Sequence, residues 1–261
     1  MGSVDPMTIP TSPLVVIAGG SSAAGIATAT ALVQAGFRVL TVGSDAGRIG
    51  SAAALTGGAL PLSCDLADNA AVAALAEQVR ADHGRVDGLI HLVGGWRGGK
   101  GLAGQSDADW DFLHRSVLTT LRNTTRAFYE DIAASAAGRM AIVSSTAVTA
   151  PTLGNANYAA VKAAAETWMG ALAQGLASVA CSTGASSTAS SDAAASSEGT
   201  SASRAAAVVL VVKALVDPAM RAASPERTFP GFTDVSTLGD TVVRLFSTPA
   251  AGLNGSRLIL S

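Results

Sequence analysis

The sequence predicts a doubly wound α/β fold built on a seven-stranded parallel sheet. Three observations predict it. Short apolar runs alternate with helical segments along the chain, as βαβ units do. Those runs are continuously apolar, as strands covered on both faces must be. A glycine-rich turn joins the first run to the first helix.

The elements follow in order. "PLVVIAG" (13–19) reads as the first strand, "GIATATALVQAG" as the helix after it, and "FRVLTVG" (37–43) as the second strand. "ALPLSCD" supplies a third strand, "NAAVAALAEQVRADHG" a helix and "VDGLIHLVGG" a fourth strand. One long helix is expected from Ser106 or Asp107, either of which can cap it, through "AASAA". "RMAIVSS" (139–145) is the fifth strand, and the next helix is expected to run to about Ser178. "AAAVVLVVKAL" gives the sixth strand, "VDPAMRAASPERTFPGF" reads as an irregular loop, "TDVSTLGDTVVRLF" as a capped helix and "GSRLILS" as the seventh strand.

This pattern makes residues 13–261 a single domain, preceded by a tail at 1–12 whose first six residues, ahead of Met7, read in part as an expression remnant. Residues 182–203 break the rhythm with a tract of Ala, Ser, Thr and Gly. Lacking large apolar side chains to offset its ordering entropy, it is expected to be a mobile insertion.

Composition narrows the function. A net charge of −2 gives no electrostatic footprint for nucleic acid, and no basic amphipathic face suits a membrane surface. Glycines interrupt the apolar run at 14–36, which argues against a membrane span. Cys64 and Cys181 lack metal-ligand spacing and read as free thiols, and His83, His91 and His114 read as ordinary histidines, so no metal is expected. The N-terminus lacks the features of a signal peptide, and a cytoplasmic protein is expected.

The turn "AGGSSAAGIA" (18–27) carries the first chemistry. Small residues there let the backbone approach a pyrophosphate, and the helix N-terminus offers free N–H groups and partial positive charge. Gly19, Gly20 and Gly25, with Ser22 and Ile26 beside them, are the candidates. At the end of the second strand an acid would select a ribose 2′-hydroxyl and a base a 2′-phosphate. Here Gly43 and Ser44 leave an open corner that leans towards NADP over NAD, with Asp45 positioned to repel a phosphate and Arg48 further on. Asp65 and Leu66, in "CDLAD", are placed for the adenine edge, and Val93, Gly94 and Gly95 follow the fourth strand.

Tyr158 and Lys162 stand four apart, on one helix face, and Ser145 thirteen before the tyrosine. "GGSSAAGIA", "CDLAD", Ser145, Tyr158 and Lys162 occur in the order and spacing of the short-chain dehydrogenase/reductase family, which the chain resembles over nearly its whole length. The resemblance implies a nicotinamide-dependent hydride transfer on a small carbonyl or alcohol. In it, Tyr158 handles the proton, Lys162 lowers the phenol pKa and holds the nicotinamide ribose, and Ser145 binds the substrate oxygen. It also implies a homodimer or homotetramer through the helix of Tyr158 and the one before it.

The chain departs from that family in three places. "HLVG" (91–94) replaces an Asn-Asn-Ala-Gly motif, Val117 replaces a helix asparagine that supports a water-linked proton path, and "KALVDPAMR" replaces a Pro-Gly pair after the sixth strand. "GGWRGG", "RSVLTT" and "LVDPAMRAASPE" resemble the dihydropteridine reductase branch, although that branch does not use the serine retained here. Trp96 reads either as a wall near the nicotinamide or as a packed loop residue. Three readings therefore stand: a carbonyl or alcohol oxidoreductase, a reductase of a quinonoid or imine-like substrate, and a nucleotide-binding homologue without turnover.

Overall fold

A computed structural model describes residues 12–183 and 204–260. The tract at 182–203 lies outside the described residues except for its first two positions, and the tail likewise except for its last.

Seven strands form one parallel sheet: β1 (Leu14–Ala18), β2 (Arg38–Gly43), β3 (Leu60–Ser63), β4 (Gly88–His91), β5 (Arg139–Ser145), β6 (Ala206–Val212) and, last in the chain, Arg257–Ile259. In the sheet, β3, β2, β1, β4, β5 and β6 follow one another, and the C-terminal strand closes the edge beside β6. The order reverses between β1 and β4, which opens a crevice at the carboxyl ends of those strands.

Alternation within β1 shows how the layers form. Leu14, Val16 and Ala18 join a core with residues of α3 (Asn69–His83), α5 (Thr120–Ala133) and α6 (Ala156–Thr183). Val15 and Ile17 face the other way, against Leu32 of α1 (Ala23–Gln34) and Leu238, Val242 and Leu245 near the C-terminus. Each such aliphatic side chain stabilises the fold by ~1.5–3 kcal/mol when fully buried.

The structure corrects four sequence expectations. Residues Ala46–Ala54 form α2, capped by Asp45, whose carboxylate accepts from Arg48 N at 2.7 Å. The expected single long helix is α4 (Asp107–Leu113), a π turn over His114–Thr119 and then α5, so the ladder widens beside Val117. The helix after β5 runs to Thr183, not Ser178, because no glycine or proline intervenes. The expected loop at 216–232 is framed by strand β7 (Leu215–Val216), which pairs with β8 (Thr233–Asp234), and within it Asp217 caps α7 (Pro218–Ala223). Proline at the first position of a helix gives up only an amide that would be unpaired anyway. The helix α8 (Val235–Ser247) and the edge strand β9 (Arg257–Ile259) complete the chain.

Candidate functional site

The crevice between β1 and β4 is a cavity of about 510 Å³. Its floor is the 18–27 turn, held against the sheet by Gly19 N and Gly20 N donating to Val42 O at 2.9 and 3.1 Å. Gly19 adopts φ +86°, and a β-carbon there would stand 2.9 Å from the Leu92 and Val93 backbone. A β-carbon on Gly25 would lie 2.5 Å from Gly19 O, so the helix start and the turn touch backbone to backbone. Ser22 caps α1 by accepting from Gly25 N at 3.0 Å.

Of the predicted cofactor residues, Gly19, Ser22, Ser44, Asp65, Leu66, Val93 and Gly94 line this cavity. Gly20, Gly25, Ile26, Gly95, Tyr158 and Lys162 do not, although Gly25 packs on the Gly19 backbone and Gly95 on Phe112 at its edge. Sequence reasoning missed Ser21, Cys64, Phe112, Arg115, Ser116 and Thr120, which the fold brings to the same lining. At the end of the second strand one Asp45 oxygen caps α2, and Ser44 and Arg48 line the cavity. Asp65 is less free than expected. Its carboxylate accepts from Ala67 N at 2.9 Å and from Arg115 at 2.8 Å, an exposed ion pair at the cavity edge.

Ser145, at the end of β5, is buried. Its Oγ accepts from Ala147 N at 3.1 Å, which leaves the hydroxyl proton free to bond the Tyr158 phenol. Burial pushes that phenol above its usual value, and the Ser145 hydrogen bond opposes the rise. This corrects the expectation that Lys162 lowers the phenol pKa. Lys162 Nζ lies 5.9 Å from the Tyr158 ring centroid and donates instead to Val143 O at 2.8 Å. Burial lowers Lys162 to about 8, against the pull of Glu166 one turn further on. Its ammonium would stand 3.8 Å from a β-carbon on Gly94, so it lies under the end of the large cavity.

His91 ends β4 in place of the usual asparagine and is fully inside the protein. Burial, reinforced by the Lys162 charge, lowers its pKa to about 3, so it is neutral. Its Nε2 lies 2.9 Å from Thr120 Oγ1, which donates its single proton to Ser116 O at 2.7 Å. Nε2 must then carry the hydrogen. This chain of three groups links the end of β4 to the π turn, next to position 117, where the family asparagine would stand. Val117 is buried there, without a polar atom to offer.

A second cavity of about 300 Å³ takes in Ser145, Tyr158, Trp96, Asn155 and Lys213. Trp96 is 64 % exposed and lines this cavity. Behind it, Glu166 binds Ser144 Oγ at 2.5 Å and Arg257 at 3.0 Å, and Arg257 reaches Ser145 O at 3.3 Å. Glu166 was legible only as an acid on the Tyr158–Lys162 helix face. Arg257 gave no sequence signal.

A nicotinamide dinucleotide fits these residues. The large cavity has the glycine floor for a pyrophosphate, and Ser116 Oγ on its lining is a buried hydroxyl without a partner. Sheet, glycine turn and phenol define a nicotinamide-dependent oxidoreductase. The family of short chain dehydrogenases matches residues 13–213, and the chain belongs to that family. Among curated proteins it is similar to the 3-oxoacyl-[acyl-carrier-protein] reductase FabG of Salmonella typhimurium, 28 % identical over 166 residues, 63 % of this chain and 68 % of the relative. Two solved structures share the fold. One is an NADPH-bound short chain oxidoreductase from Pseudomonas aeruginosa PAO1 described as containing an atypical catalytic center (TM-score 0.76, 19 % identity, 95 % of each chain). The other is an oxidoreductase from Burkholderia thailandensis (TM-score 0.76, 21 % identity, 96 % of this chain and 91 % of that one). None of these three is a dihydropteridine reductase.

Proposed function

We propose that the protein is an NADPH-dependent reductase of a small carbonyl compound. The reaction is carbonyl plus NADPH plus a proton, giving alcohol and NADP⁺. The observation that carries this reading is the placement of three side chains: Ser145 and Tyr158 line the smaller cavity, and Lys162 stands 3.8 Å from a β-carbon on Gly94, which lines the larger. A bound nicotinamide supplies the hydride. Ser145 orients the substrate oxygen, Tyr158 delivers the proton to it, and Lys162 binds the ribose and offers positive charge. A phenol pushed up by burial is protonated at neutral pH, which suits a donor in the reducing direction. Ser44 and Arg48 on the lining, with Asp45 turned to its cap, support NADP over NAD.

Tyr158→Phe is expected to lower kcat by roughly 10²–10⁴-fold with NADPH affinity unchanged, measured by NADPH oxidation and fluorescence titration. Unaltered turnover in this variant would sink the reading. The reduction of a quinonoid substrate remains a second reading because Val117 stands where the relay asparagine is missing. Ser145→Ala separates the two: a carbonyl reductase loses on the order of 10²-fold in kcat, whereas a quinonoid reductase keeps its rate.

A homodimer or homotetramer through α5 and α6 goes with this reading, as does a cytoplasmic setting in which Cys64 stays a thiol. A shallow hollow of about 350 Å³ between Tyr129 and Trp168 on those helices gives a partner helix somewhere to pack. Light scattering at micromolar concentration tests it, and a monomeric mass refutes it.

A further inference from the structure

The Pro-Gly pair of the family is replaced here by Lys213-Ala214, at the carboxyl end of β6. A rigid backbone turn thus becomes a long cationic side chain, and that side chain lines the cavity of Ser145 and Tyr158. Its direction is set by the loop opposite. Lys213 Nζ donates to Pro230 O at 3.0 Å, and its stem runs over Gly231, where a β-carbon would stand 3.3 Å from Cδ. The same loop holds Phe229 at φ +46°, the one positive φ outside glycine among the described residues. Phe229 is buried, edge-on to Phe232 and beneath Arg227. Such a backbone persists only where its surroundings over-determine it, and it tends to occur at ligand sites.

Among the described residues, Lys213 is the only charged one in the lining of this cavity. Of the acids on neighbouring elements, Glu166 is held by Ser144 and Arg257, Asp234 by Arg221 and Asp217 by the cap of α7, while Glu226, in the loop of Pro230, is exposed and makes no ion pair with Lys213. No described carboxylate pairs with Lys213, and an ammonium has three donors, of which Pro230 uses one. A cation with spare donors beside the reacting group is a receptor for an anion.

We propose that Lys213 anchors a carboxylate of the substrate, so that the protein reduces small oxo acids to hydroxy acids. The oxo oxygen lies between Ser145 and Tyr158, and the carboxylate takes no part in the hydride and proton exchange. This proposal rests on the carbonyl-reductase reading above.

The test compares levulinate with its methyl ester, using the full chain and NADPH, for the wild type, Lys213→Met and Lys213→Arg. Rates come from NADPH oxidation. Levulinate affinity for the NADPH-loaded protein comes from tryptophan fluorescence, to which Trp96 in the same cavity contributes. The wild type should favour the acid over the ester by tenfold or more in kcat/KM. Lys213→Met should raise the KM and Kd for levulinate by roughly 10–100-fold, leaving the ester and NADPH affinity unchanged, and Lys213→Arg should keep most of the preference. Equal use of acid and ester by the wild type, or no levulinate binding in the titration, overturns the proposal. A loss in Lys213→Met that falls on NADPH affinity also overturns it and assigns the lysine to the cofactor. Failure of the underlying reading looks different: NADPH does not bind, or Tyr158→Phe is as fast as the wild type, and the proposal falls with it.

Discussion

The turn at 18–27 and the crossover at 213–234 both close over the ends of strands, but they are built by opposite means. The first is backbone packed on backbone: Gly25 against Gly19 O, and Gly19 against Leu92 and Val93. Its polar groups are amides, and no ionisable side chain is required. The second is built from side chains: a capped helix, an Arg221–Asp234 pair, Phe229 edge-on to Phe232, and one lysine held by a carbonyl. A backbone-built site has one use, holding a group common to every member of the family. A side-chain-built site can be re-cut residue by residue, which is where a substrate preference would be written.

Breaking the backbone-built side should have the larger effect. Gly25→Val places atoms inside the Gly19 carbonyl, which cannot move aside, so NADPH binding should vanish and thermal stability should fall, as read by fluorescence titration and circular dichroism. If NADPH binding survives in that variant, the close contact does not matter. Next in size is the pH dependence of reduction. Lys162 is lowered to about 8 in the folded protein, so its cation is lost as pH rises through that value, and the rate at saturating substrate should fall up to tenfold per unit above it. A flat rate from pH 7 to 10 contradicts a role for the charge. The same shift has a stability consequence of known sign. The unfolded chain keeps its lysine proton up to the ordinary value, so the native state gains stability between about 8 and 10.5. Lys162→Met should therefore raise Tm at neutral pH, by on the order of 1–3 kcal/mol of stability, while turnover collapses. Smallest is Arg48→Gln, expected to weaken NADPH binding about tenfold and leave NADH unaffected. Equal loss of both cofactors would mean that Arg48 only props α2.

The same contrast explains what was legible in the sequence. The sheet, the glycine turn and the Ser145–Tyr158–Lys162 spacing are local patterns, and each appears where it was read. The β7–β8 pair and the Glu166–Arg257 link join residues distant in the chain, and no periodicity encodes them. The π turn was hidden because its residues keep a helical pattern, and the widened ladder lies in the backbone, which no side chain announces. Two misses were readable. Asp45 before "AGRIG" and Asp217 before Pro218 are ordinary N-caps, and both begin helices. The lowered phenol was misjudged for a different reason: sequence spacing gives a shared helix face but not the direction of the Lys162 ammonium, which Val143 O takes.

Arg257 lies on β9, the short outermost strand, with hydrogen-bonded neighbours on one side only. Edge segments open by local fluctuation at far lower cost than the central sheet. When β9 frays, Glu166 loses its guanidinium partner and the Ser145 carbonyl its outer donor, while the cores on both faces of the sheet stay intact. On gentle heating, catalytic competence should therefore fade below the temperature at which the helices melt, and a bound ligand on the Ser145 side would act as a clasp that keeps the last strand in place.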